Sequence, residues 1–130
     1  MIRILLVDDN ETNRYMIGSI LKRAGFEVAT AADGESGLSA AATGRPDLIL
    51  MDVQMPGIDG FEATRRLKAG AETRQVPVIA LSAHEAQDKA EEISDSGCDA
   101  YLTKPLDIPR LLAEIERLLG VAACARSETA

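Results

Sequence analysis

The chain has 130 residues, 21 acidic against 14 basic for a net charge of −7, with 46% apolar, 27% charged and only 3% aromatic residues. That length suits one domain, since compact domains usually hold roughly 100–150 residues, and the composition is that of a globular protein with an aliphatic core rather than a disordered chain. The acidic balance, with no Lys/Arg cluster to offset it, argues against nucleic acid as a partner and for a protein partner.

The opening run Met1 to Val7 meets Asp8 and Asp9 too soon to be a signal peptide or a membrane span, so a cytoplasmic chain with no membrane partner is expected. Arg3 to Val7 reads as the first strand. A helix follows from near Asn10, with Met16, Ile17, Ile20, Leu21 and Ala24 on one face and Gly25 at its end. Val28 to Ala31 is a weaker strand; Asp33 then caps an Ala-rich helix closed by Gly44 and Pro46. Leu48 to Met51 is the cleanest buried strand. Asp59, with Glu62 three residues on, forms a capping-box variant that starts a helix through Phe61, Ala63 and Leu67, fading by Gly70. Val76 to Leu81 is the fourth strand, and a helix from Glu85 to Ser96 stops at Gly97. Ala100 to Leu102 makes a brief fifth strand, and the last helix aligns Leu111, Leu112, Ile115, Leu118 and Leu119.

Strands that are apolar throughout, joined by helices long enough for crossovers, imply a parallel sheet covered on both faces, hence a doubly wound α/β domain over residues 1–120. Residues 121–130 are small and polar and read as a disordered tail. There is no repeat, low-complexity block or internal linker. Cys98 and Cys124 have neither metal-hook spacing nor disulfide density, and Cys98 reads as a small buried thiol.

In open α/β sheets ligands bind beyond the carboxyl ends of the strands, where strand order reverses. Asp8 and Asp9 follow the first strand, Asp52 ends the third, Ser82 the fourth, and Lys104 lies just past the fifth. Should the first and third strands be neighbours, three carboxylates share one pocket. Like charges about 4 Å apart repel by roughly 4 kcal/mol at an effective dielectric near 20, so a cation must complete the cluster. Without His or Cys at ligand spacing, Mg²⁺ suits it better than zinc, and Lys104 adds a compact second cation. Asp33 and Asp59 read as caps. Asp52 does not, because the stretch Val53 to Gly57 separates it from the next helix.

Together these motifs resemble the response-regulator receiver family over residues 1 to about 120: Leu-Leu-Val-Asp-Asp-Asn at 5–10, Asp-Leu-Ile-Leu-Met-Asp-Val-Gln-Met-Pro-Gly-Ile-Asp-Gly at 47–60, Val-Ile-Ala-Leu-Ser-Ala at 78–83 and Tyr-Leu-Thr-Lys-Pro at 101–105. The resemblance implies a flavodoxin-like (βα)5 fold with a parallel sheet of order 2-1-3-4-5. It implies that Asp52 accepts a phosphoryl group from a phosphohistidine on a histidine kinase or histidine phosphotransfer protein. It further implies that Asp9, Asp52 and the Gln54 carbonyl bind Mg²⁺, with Asp8 acting through water. Lys104 and Ser82 would contact the phosphoryl oxygens, Tyr101 would rotate as the readout, and Lys104-Pro105 would be cis. Gln54 and His84 stand where, in similar receivers, water approaches, and would tune the lifetime of the phosphoryl group. Asn10, Asn13 and Arg14 look like the first-helix pattern of phosphorelay receivers, which puts donor docking near that helix and readout on the fourth helix, fifth strand and last helix.

Such a protein is a signalling switch, catalysing only its own phosphorylation and dephosphorylation. A phosphatase of the haloacid dehalogenase type would carry Asp-x-Asp where this chain has Asp8-Asp9-Asn10, and a nucleotide-binding P-loop is absent. A flavin site would want a Ser/Thr/Gly-rich first loop. A purely structural adaptor is the remaining alternative. With no output domain after the last helix, a stand-alone regulator that acts on a downstream protein is expected.

Overall fold

The computed structural model describes residues 1–120; the expected tail and Cys124 lie outside the described residues. The five apolar runs become β1 (Arg3–Val7), β2 (Glu27–Ala31), β3 (Leu48–Asp52), β4 (Val78–Ser82) and β5 (Ala100–Thr103). All pairs are parallel and the order is β2-β1-β3-β4-β5, as expected from sequence. Every residue of β3 and β4 is buried, which is why neither strand alternates in hydrophobicity.

Helices α1 (Glu11–Arg23) and α5 (Ile108–Leu119) cover one face, α2 (Gly34–Gly44) and α3 (Gly60–Ala69) the other, and a shorter α4 (Ala90–Ser96) lies beside α3. The two-residue side-chain period of a strand sorts the core. Ile4, Leu6, Leu50, Ile79 and Leu81 meet Ile17, Leu21, Leu111 and Ile115. Leu5, Val7, Ile49 and Met51 meet Ala41, Ala63 and Leu67. The expected caps Asp33 and Asp59 are present, and Asn10 caps α1 as well: each accepts a hydrogen bond from the N–H three residues on. The Ser36 N–H also holds the Asp33 carboxyl below its usual range. Asp107 caps α5 in the same way.

Three local readings change. Met16 is 50% exposed, so the buried face of α1 is carried by Ile17 and Leu21. The fourth strand begins at Val78: the Val76 N–H turns back to the Thr73 carbonyl, Pro77 has no donor, and Val78 donates to the Asp99 carboxylate. The helix expected from Glu85 to Ser96 is a 3-10 turn at Ala86–Lys89 followed by α4. Its sequence Ala-Gln-Asp-Lys-Ala-Glu-Glu offers little apolar face, Glu85 supplies no side-chain cap, and only Ser96 of α4 is buried, so packing does not enforce a regular start. Cys98 is half-buried rather than fully buried, and burial pushes its thiol pKa up, which disfavours the thiolate. No helix among the described residues is long and apolar enough to cross a membrane.

Candidate functional site

Strand register decides what meets at the carboxyl edge. Val7 pairs with Met51 across β1 and β3, so Asp8 and Asp52, the next residue of each segment, stand side by side at the carboxyl edge of the sheet. Oxygen atoms of Asp8, Asp9 and Asp52 lie within 4.8 Å of one another. Asp8 and Asp52 are buried and Asp9 is exposed, so the cluster is a floor of two carboxylates with one at the rim. Lys104, just past β5, donates from Nζ to Asp52 Oδ1 at 3.0 Å and stands 3.9 Å from Asp8 Oδ2. Ser82 ends β4, fully buried. The sequence-expected group of Asp8, Asp9, Asp52, Ser82 and Lys104 is thus gathered at one edge, and the Lys104-Pro105 peptide is cis.

Electrostatically the cluster is under-compensated. Burial, with Asp8 and Asp9 adding repulsion, raises the Asp52 pKa, although the Lys104 hydrogen bond and charge pull it down. Asp8 Oδ1 accepts the Asn10 N–H at 2.8 Å, but Oδ2 is buried with no hydrogen-bond partner. An unpaired buried carboxylate oxygen beside two further carboxylates is a donor set for a hard divalent cation, and the residues fit Mg²⁺ on that ground.

A pH dependence follows for the metal-free protein. Because folding raises the Asp52 pKa, the native state holds a proton that the unfolded state has released between the ordinary value of 3.8 and the raised folded value. The contribution of Asp52 to stability therefore falls as pH rises through that window and is constant above it. Thermal melts in chelator are expected to show, over that window, a stability that changes less favourably with rising pH in the wild type than in Asp52→Asn; equal slopes would refute the assignment.

Beside the carboxylates, two loops are tied together through His84 and Gln54. Ser82 Oγ accepts the His84 N–H at 3.1 Å, and the His84 carbonyl accepts the Tyr101 hydroxyl at 2.6 Å. The Tyr101 ring stacks on Phe61 with centroids 6.4 Å apart and planes 4° from parallel. Its hydroxyl is thus held by protein rather than left to water. Gln54 Oε1 accepts the Ala83 N–H at 3.4 Å, a long bond between the loops after β3 and β4. The His84 side chain is exposed; what His84 contributes to these contacts is its backbone. A groove of about 510 Å³ runs past Gln54, Phe61, His84 and Lys89.

Two residues escape sequence reasoning. Arg14 donates to the Asp8 carbonyl at 2.7 Å, a contact that its place in a first-helix pattern like that of phosphorelay receivers does not reveal. Gly60 approaches the Asp52 carbonyl so closely that a Cβ there would overlap it. That demand is invisible in a helix-starting Asp-Gly pair.

Over residues 4–116 the sequence matches the response regulator receiver domain. The chain belongs to that family. It is 39% identical over 119 residues to the polar-differentiation response regulator DivK of Brucella anthropi, covering 92% of this chain and 97% of that protein. Among solved structures, Vibrio cholerae chemotaxis protein CheY4 superposes with a TM-score of 0.86 at 34% identity, covering 92% of this chain and 99% of that one. The receiver domain of a sensor histidine kinase from Pseudomonas aeruginosa, solved with a magnesium ion in its active-site cleft, gives a TM-score of 0.84 at 38% identity, covering 91% of this chain and 97% of that one. This receiver domain therefore serves two-component signalling and takes Mg²⁺ as its cofactor at the acidic edge.

Proposed function

We propose that Asp52 is the phosphoryl acceptor, charged by a phosphohistidine on a histidine kinase or histidine phosphotransfer protein. The observation that carries this reading is the placement of Asp52: a buried carboxylate at a strand end, with one oxygen on Lys104 and two further carboxylates beside it. A carboxylate oxygen of Asp52 attacks phosphorus, the phosphorus–nitrogen bond to the donor imidazole breaks, and its electron pair returns to the ring. Asp9, Asp52 and the Gln54 carbonyl would hold the ion, and Asp8 would act on it through water. Mg²⁺ there supplies positive charge that offsets the charge developing on the phosphoryl oxygens. Lys104 is placed to meet one of those oxygens and Ser82 another.

Readout follows from the hydrogen bonds of His84. A Ser82 hydroxyl drawn to the phosphoryl group carries His84 with it, and His84 carries the Tyr101 hydroxyl, so β5 registers the event. Gln54 and His84, which line one groove after β3 and β4, set the lifetime of the acyl phosphate, which the decay of phosphorylated protein after donor removal reports. The donor docks at an apolar groove of about 360 Å³ lined by Met16, Ile17, Ile20, Pro105, Leu106 and Ile108, next to Lys104. The face of α4, β5 and α5 is left for a downstream protein, and both encounters take place in the cytoplasm.

Incubation with Mg²⁺ and a small acyl phosphate, followed by intact-mass measurement, tests the central step. One added phosphoryl mass is expected in the wild type, none in Asp52→Asn or with chelator. Equal uptake by Asp52→Asn would place the acceptor elsewhere.

A further inference from the structure

We infer that Arg14 is a positioning residue for the metal site: its guanidinium, bound to the Asp8 carbonyl, fixes the carboxylate of Asp8 so that Oδ2 faces the ion. The inference rests on the reading that Asp8, Asp9 and Asp52 form the Mg²⁺ site.

The polar atoms of Asp8 lead to it. Its N–H donates to the Ala31 carbonyl at 3.1 Å, its own carbonyl accepts Arg14 Nη1 at 2.7 Å, and Oδ1 accepts the Asn10 N–H at 2.8 Å. The atom left over is Oδ2, buried, without a hydrogen-bond partner and 3.9 Å from Lys104 Nζ. Hydrogen bonds at both main-chain groups and at Oδ1 hold Asp8 in place and leave Oδ2 turned toward the other carboxylates and Lys104. The tie at the carbonyl comes from Arg14, so the loop from Asp8 to Asn10 is held from the helix that follows it.

The helix macrodipole does not account for an arginine at that place. Arg14 sits near the N-terminus of α1, where the macrodipole favours anions and disfavours cations. Among the described residues it forms no ion pair, and its hydrogen bond goes to a backbone carbonyl in a half-buried setting. Groups that orient a metal's direct ligands typically change affinity by about 10–100-fold when removed, and because Asp8 acts through water and Arg14 holds its main chain, the low end of that range applies here. Charge alone makes the opposite prediction: deleting a cation near a dication site removes repulsion and tightens binding. A role confined to docking the donor protein predicts no change, because no donor is present in a metal titration.

The test is the Mg²⁺ dissociation constant of the full chain, measured by calorimetry with far-UV circular dichroism as the check on folding. Wild type, Asp9→Asn, Arg14→Gln and Arg14→Lys are compared. Asp9→Asn is expected to lose most Mg²⁺ affinity. If it binds as the wild type does, the three-carboxylate reading fails, and the inference with it. With that control in place, Arg14→Gln is expected to bind Mg²⁺ about tenfold more weakly than wild type. Arg14→Lys, which keeps the charge and a single ammonium donor but not the planar fork, is expected to fall between. An unchanged or tightened constant in Arg14→Gln overturns the inference while leaving the metal site intact. Should Arg14→Gln fail to fold, Arg14→Lys decides in its place, and wild-type affinity there overturns it.

Discussion

Lys104→Met is expected to slow phosphoryl uptake from a small acyl phosphate by about 10²–10³-fold at saturating Mg²⁺, the usual cost of removing one donor aimed at developing negative charge. Methionine keeps the length and apolar stem of lysine, so the change removes the ammonium and little packing. Lys104 is the one cation hydrogen-bonded to Asp52 among the described residues, and it is also among the influences that lower the Asp52 pKa against burial and the neighbouring carboxylates. Metal affinity should not fall with the rate, because removing a cation from a site built of carboxylates favours another cation. Rates from time-resolved intact mass over a Mg²⁺ series separate the two. A variant that recovers wild-type rate at high Mg²⁺ would show that Lys104 acts only through the ion.

Gly60→Ala is expected to destabilise the fold by on the order of 3 kcal/mol, lowering the melting temperature by about 10 °C for a domain of this size. The sign runs against helix propensity, which favours alanine over glycine by about 1 kcal/mol in a helix interior. What decides it is the backbone beyond. A Cβ on Gly60 would overlap the Asp52 carbonyl and come within 2.7 Å of Val53 Cα, and main-chain atoms cannot rotate aside. The Gly60 N–H also donates to the Val53 carbonyl at 2.9 Å, so α3 starts directly against the chain that leaves β3. Any relief moves Asp52, and phosphoryl uptake should fall with stability. Gly57 is the useful contrast: nothing lies within 4 Å of its Cβ position, but its φ of +79° asks for glycine. Its alanine variant should cost only about 1 kcal/mol. Chemical denaturation of both variants gives the comparison, and equal losses would refute the steric account.

Much of the molecule is legible in one dimension because its causes are local. Runs such as Leu48 to Met51 must be buried on both faces, and a strand buried on both faces belongs to a parallel sheet. Asp33 and Asp59 cap because their side chains reach an N–H three residues on, a reach set by covalent geometry. The acidic site is legible for the same reason: its residues stand at strand ends, and parallel strands bring like ends together. Where one residue had to be assigned to one face or one boundary, locality ran out. Met16 has the spacing of a core residue but lies at the edge of the α1 stripe, in the groove beside Lys104. The segment after β4 has helical composition but too little to bury, so it breaks at Lys89.

From its sequence alone this protein has a parallel α/β sheet, its strand ends, its helix caps and a set of five polar residues at one edge, since hydrophobic runs and short-range hydrogen bonds need no distant partner. Tertiary structure alone decides how those residues act on one another. The register of Val7 against Met51 sets Asp8 beside Asp52, and Lys104 reaches across 52 positions of chain to pair with it. Arg14 grips the carbonyl of Asp8, and Gly60 makes room for the backbone of Asp52. Each of these is a contact between segments whose separation in space is fixed only when the whole core packs, and burial there shifts the acidity of Asp52 in a way no isolated stretch of chain can show.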